Sequence, residues 1–167
     1  MVTRLVLVGL PGTGKTTVAR ELADRWGLEA VDTDDLVSRA VGRSVAQYLR
    51  ENGEAQFRRR EFEALLDALA GDGVVSTGGG VVSLDEARRA LAASRTYWLD
   101  CDDEQILERV GDGDRPLLGE DLAGSLVRLR VQREPWYREV SRARIDASGT
   151  LDEVVALIMD ELARASA

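Results

Sequence analysis

The 167-residue sequence has no histidine and a single cysteine, Cys101. The first absence excludes triads built on imidazole and metal sites with a histidine ligand. The second excludes an internal disulfide and suits a reducing compartment. No apolar run approaches the ~18 residues that a membrane-spanning helix needs. The opening run Leu5–Val8 is too short for the hydrophobic region of a secretory signal and gives way to Gly9. Positive charge is in the minority, with 22 Lys and Arg against 30 Asp and Glu and a net charge of −8. Nucleic acid and anionic membranes are held largely through Lys and Arg, so neither is an expected partner. The chain shows no internal repeat, low-complexity segment or linker. These absences leave a single domain over residues 1–167, expected to be a cytoplasmic monomer. Its length suffices to bury about two thirds of the unfolded surface.

What is present alternates between two periods. Leu5–Val8 is a continuous apolar run, the mark of a strand buried on both faces. Lys15–Trp26 follows as a helix with Val18, Leu22 and Trp26 on one side, and Gly27 stops it. Leu28–Val31, Val74–Thr77, Thr96–Leu99 and Arg144–Asp146 are the other expected strands. Between them stand helices over Asp34–Ala40, from Ser44 and Gly53 to Leu69, to about Ala92 behind a Ser83 cap, and over Asp102–Val110. Gly111–Asp121 is polar and glycine-rich and reads as a loop. Leu122–Glu134 is helical, with Pro135 opening a new turn, and Thr150 with Glu153 caps the last helix. Strand and helix alternating five times predict an α/β fold, a five-stranded parallel sheet with helices on both faces.

The stretch GLPGTGKTT, residues 9–17, completes the phosphate-loop pattern Gly9-x-x-x-x-Gly14-Lys15-Thr16 between a strand and a helix. Gly12 and Gly14 let the amides of Gly12, Thr13, Gly14, Lys15, Thr16 and Thr17 turn inward without Cβ obstruction. Those amides, with the positive end of the helix, bind phosphate oxygens. Lys15 reaches the terminal phosphates as a point charge, and the Thr16 hydroxyl is placed to ligate Mg²⁺. The spacing points to a nucleoside triphosphate and leaves its use open.

Other candidates surround this loop, each with two readings. Asp32 and Asp34 end a strand, where ligands collect in parallel sheets. Asp32 suits Mg²⁺ through water, and Asp34 suits a substrate hydroxyl whose proton it accepts. Equally, Asp34 and Asp35 are positioned to cap a helix. Gly78, Gly79 and Gly80 offer open amides or form a turn. Arg58, in GEAQFRRRE, is a binding cation or one of a solvated run pairing with Glu54, Glu61 or Glu63. Arg115, in a glycine-bounded loop, is a lid residue closing over phosphates or a surface charge. Arg133 is a site cation or a helix-end charge. Phe57, Phe62, Leu65 and Leu69 read as core, and Trp136 and Tyr137 as core or pocket wall.

Taken together, GLPGTGKTT (9–17), DTD (32–34), GEAQFRRRE (53–61), TGGG (77–80), DRPLL (114–118) and QREPWY (132–137) resemble the shikimate kinase family over nearly the whole chain. The resemblance implies a nucleoside-monophosphate-kinase-like P-loop fold with a lid at about 111–121 and a substrate-binding helical region at about 33–62. It implies transfer of the ATP γ-phosphoryl group to the 3-hydroxyl of shikimate, on the way to chorismate and the aromatic amino acids, with Mg²⁺ as cofactor. It assigns Asp34, Lys15 and Arg115 to catalysis, with Arg115 reaching the phosphates from the lid. Arg58, Arg133 and the run Gly78–Gly80 fall to shikimate, with Gly79 as backbone donor. Arg109 falls beside adenine, and Thr16 and Asp32 at the metal. Ser76 and Thr77 stand where many phosphate-loop enzymes end the third strand in an acid, a family trait that leaves the role to Asp32. A gluconate-kinase-like enzyme and a catalytically silent nucleotide-binding module are the competing readings. The specific motifs disfavour the first, and the presence of Lys15, Asp34 and Arg115 disfavours the second.

Overall fold

The computed structural model describes residues 4–110 and 121–165. Five strands, β1 (Arg4–Val8), β2 (Ala30–Asp32), β3 (Gly73–Ser76), β4 (Thr96–Asp100) and β5 (Ala143–Asp146), form one sheet in the order β2-β3-β1-β4-β5. Every pairing is parallel. Leu5–Val8, Val74, Val75 and Leu99 are fully buried. Such two-sided burial requires helices on both faces. α1 (Lys15–Trp26) and α8 (Leu151–Arg164) pack together. α4 (Glu54–Ala70), α5 (Asp85–Ala92) and α7 (Leu122–Val140) form the other layer, and α6 (Asp103–Val110) packs on α7. This division follows from right-handed crossovers that run left from β1 to β2 and right thereafter.

The register matters for function. Leu7 aligns with Ser76, and Ser76 with Asp32, so three strand ends stop level beside the loop that follows β1. A smaller apolar cluster of Val37, Phe57 and Ala64 joins α2 (Thr33–Val41), α3 (Val45–Asn52) and α4. The segment from α2 through the first half of α4 covers the expected helical region at 33–62 and adjoins the same edge. α3 has no buried residue. Among the described residues, no helix is long and apolar enough to cross a membrane.

Several element ends differ from expectation. β2 begins two residues late because Leu28 N–H still bonds the Ala23 carbonyl at 2.9 Å as the chain leaves α1. The cap of α2 is Asp32, whose Oδ1 accepts from Asp34 N–H at 2.9 Å, so Asp34 and Asp35 lie in the first turn and cap nothing. Ser83 does not cap α5. Its N–H is committed to the Gly80 carbonyl in a 3₁₀ turn over Val81–Ser83, and Leu84 holds the cap position without a side-chain bond. Pro135 does not open a new turn, and α7 runs through it unbroken. The carbonyl that Pro135 deprives of a donor belongs to Val131, which is 74% exposed and open to water. Burial of Leu126, Arg133, Tyr137 and Val140 holds the helix together across it. The Thr150–Glu153 capping box is present as expected.

Candidate functional site

The loop after β1 ends at Gly14, whose φ of +90° and lack of a side-chain cap leave the α1 N-terminus free of capping side chains. Thr13 is buried and donates Oγ1 to the Leu10 carbonyl at 2.9 Å. Lys15, only 7% exposed, lays its Nζ across the loop onto the carbonyls of Gly9 and Leu10, at 2.9 and 2.8 Å. The Thr16 hydroxyl donates to Asp32 Oδ2 at 2.8 Å and stands 3.1 Å from Ser76 Oγ. Asp32 thus uses one oxygen to start α2 and the other to orient Thr16. The donor set is hard oxygen only, and no cluster of three His, Cys, Asp or Glu occurs among the described residues. That composition fits Mg²⁺, which takes few protein ligands and completes its shell with phosphate and water.

The acceptor side is built by α2, α4 and the glycine run after β3. Arg58 donates Nη1 to Glu61 at 2.7 Å and Nη2 to Glu54 at 3.1 Å, one turn after it and one turn before it on the same helix. Its Nε is buried without a partner among the described residues, as are Nε and Nη1 of Arg133 on α7. Glu61 is 2% exposed. Burial pushes its carboxyl up, Asp34 adds in the same direction, and Arg58 and Arg133 pull against them.

The glycines are explained by close approach rather than by unusual backbone angles. A Cβ on Gly78 would meet the carboxylates of Glu61 and Asp34, one on Gly79 would stand 2.8 Å from Pro11 Cδ, and one on Gly80 would strike the Arg58 guanidinium. Their amides divide. Gly78 N–H is taken by Thr33 Oγ1 at 3.1 Å. Those of Gly79 and Gly80 have no partner among the described residues.

These groups share one cavity of about 630 Å³. Gly12, Gly14, Lys15, Thr16, Thr17, Asp32, Asp34, Arg58, Gly78, Gly79, Gly80 and Arg109 all line it. Thr13 and Arg133 do not. Thr13 is buried beneath the loop, and Arg133, 3% exposed, lies close enough to act on Glu61 and Tyr137. Arg109 shares a helix with Ile106 and Val110, which stand next to Gly12, and donates Nη2 to the Ala147 carbonyl at 3.0 Å. Arg59 and Arg60 are exposed and pair with Glu86 and Glu63. Arg115 and the proposed lid, apart from Asp121, lie outside the described residues. Glu61 is the site residue the sequence conceals. At three positions from Arg58 it looks like any surface partner, and only its Phe57 and Leu65 neighbours hint at burial. Val45, Ala46, Leu49 and Phe57 supply apolar lining to the same cavity.

The family model described as Shikimate kinase matches residues 11–163. The shikimate kinase of Symbiobacterium thermophilum is 46% identical over 165 residues, covering 95% of each chain. That of Mycobacterium marinum is 42% identical over 151 residues, 89% of this chain and 82% of its own. Among solved structures, shikimate kinase from Acinetobacter baumannii in complex with shikimate superposes with a TM-score of 0.91 at 31% identity, covering 99% of this chain and 95% of that one. The Aquifex aeolicus enzyme gives 0.85 at 31% identity over 98% of both chains.

Proposed function

Because the chain belongs to the shikimate kinase family, we propose that it transfers the γ-phosphoryl group of ATP to the 3-hydroxyl of shikimate. It is an ATP-dependent phosphotransferase of the shikimate pathway. The observation that carries the division of labour is the pair of buried arginines with unsatisfied N–H groups next to a phosphate loop. A planar carboxylate suits two guanidinium forks better than any neutral partner. Arg58 and Arg133 hold the shikimate carboxylate, and the amides of Gly79 and Gly80 add donors without charge. Val45, Ala46 and Leu49 face the carbon ring.

Asp34 is the acid assigned to the reacting hydroxyl, because it lines the cavity beside the glycine run, whereas Asp32 serves as the helix cap. It orients that hydroxyl and accepts its proton as the oxygen bonds to the γ phosphorus. The bond from that phosphorus to the bridging oxygen breaks, and ADP leaves with the electron pair. Lys15 and the loop amides neutralise the charge that spreads over the β and γ phosphates. Arg115, from a lid at about 111–121, adds to that charge, and Arg109 borders adenine. Thr16 and Asp32 would hold Mg²⁺, which supplies further neutralisation when bound with ATP. The protein is assigned to the cytoplasm as a monomer.

The test is a coupled ADP-release assay with ATP and Mg²⁺, run on shikimate and on gluconate. Turnover on shikimate is expected. Turnover on gluconate alone would replace the assignment with a related sugar-acid kinase.

A further inference from the structure

Each peptide plane of the glycine run is held by its carbonyl. The Gly78 carbonyl accepts Val81 N–H at 3.2 Å, and the Gly80 carbonyl accepts Ser83 N–H at 3.0 Å. Both holds are local backbone bonds. The Gly79 carbonyl is different, because it accepts the phenolic hydroxyl of Tyr137, which lies 58 positions away on α7. A trans peptide is planar, so its N–H points opposite to its carbonyl, and the described chain has no cis bond. Fixing the Gly79 carbonyl toward α7 therefore fixes the direction of the Gly80 N–H.

We propose that Tyr137 is a positioning residue for shikimate, pinning the Gly79 carbonyl so that the glycine-run amides stay aimed at the substrate. Tyr137 does not touch the reacting atoms. It stands one helical turn from Arg133 and its hydroxyl also meets that guanidinium, so α7 delivers the arginine and the hydroxyl together. Its ring is fully buried and packs against Trp98 with centroids 6.0 Å apart, which leaves it a single orientation. Burial holds the phenol protonated, so the oxygen remains a donor at any working pH. Without the hydroxyl, a run of three glycines has little else to keep the 79–80 plane from rotating.

This proposal rests on the cavity being the shikimate site. Its test is the full-length Tyr137→Phe variant, which keeps the ring and removes one oxygen. The KM for shikimate is expected to rise about tenfold, with kcat and the KM for ATP changing by less than about twofold. An unchanged shikimate KM, or an equal loss in all three parameters, overturns it. Amide hydrogen exchange gives a second reading. In the wild type, shikimate should slow exchange at Gly79 and Gly80, while Gly78, already bonded to Thr33, stays as it was. If Tyr137→Phe does not fold, unaltered exchange at both amides of the wild type with shikimate bound overturns the proposal by itself. Failure of shikimate to bind the wild type would instead remove the substrate assignment.

Discussion

Removing Arg58 strands a buried acid, because Glu61 is 2% exposed and takes Nη1 of Arg58 at 2.7 Å. Arg133 leaves no acid so paired: its hydrogen-bond partner is the neutral Tyr137 hydroxyl, it acts on Glu61 through charge alone, and two of its own nitrogens are unsatisfied. The two alanine variants should therefore separate. Arg58→Ala is expected to lose about 3 kcal/mol of stability, since breaking a buried pair leaves one charge uncompensated. Arg133→Ala should stay within about 1 kcal/mol of the wild type, because it discards a buried charge that burial penalises. Both should weaken shikimate binding, and urea denaturation beside a shikimate titration distinguishes them. Equal stability losses would mean that the Arg133–Tyr137 contact matters to folding as much as the Arg58–Glu61 pair. Asp34→Asn keeps the shape and loses the base. Its kcat should fall by about 10²–10⁴, with ATP affinity within about twofold as measured by nucleotide titration. Near-normal turnover would remove Asp34 from the chemistry.

At the scale of elements, α7 is held by contacts on either side of a proline and tolerates it. At its middle, Arg130 donates to Asp100 at 2.8 Å, Asp103 at 2.6 Å and the Cys101 carbonyl at 2.7 Å. Near its end, Tyr137 reaches Gly79. Pro135 lies between these anchors and costs the helix up to about 3 kcal/mol relative to alanine. Pro135→Ala should raise the melting temperature by a few degrees, at about 2–4 °C per kcal/mol for a chain this size. A lower melting temperature in calorimetry would show that the ring packs in a way alanine cannot replace. The same helix shows what a sequence can and cannot disclose. Apolar runs announce β1, β3 and β4 because burial on both faces leaves no polar position to blur them. The phosphate loop, DTD and TGGG are readable because backbone approach to ligands or neighbours demands particular residue types. The continuity of α7 is not readable, since tertiary contacts with Asp100 and Gly79 override a local breaker. Glu61 and Tyr137 are equally hidden: an acid at i+3 looks the same on a wet face as in a core, and a hydroxyl's distant partner leaves no periodic trace.

For the whole molecule, buried Glu61 ties stability to pH. Its carboxyl holds a proton more readily in the folded state than its ordinary value of about 4.5 allows. The contribution is complete below that ordinary value and declines as pH rises through the raised one. Glu61→Gln should therefore flatten the fall in stability as pH rises above that ordinary value, compared with wild type through urea midpoints at each pH. Identical slopes would show that Arg58 fully offsets burial. The crowded glycine run also dictates where chemists have latitude. An inhibitor elaborated toward Gly79 or Gly80 collides with main chain backed by Pro11 and Arg58, whereas α3, which buries none of its residues, can retreat. Compounds extended toward Val45, Ala46 and Leu49 gain volume, and any broadening of acceptor range by directed evolution must begin on that side.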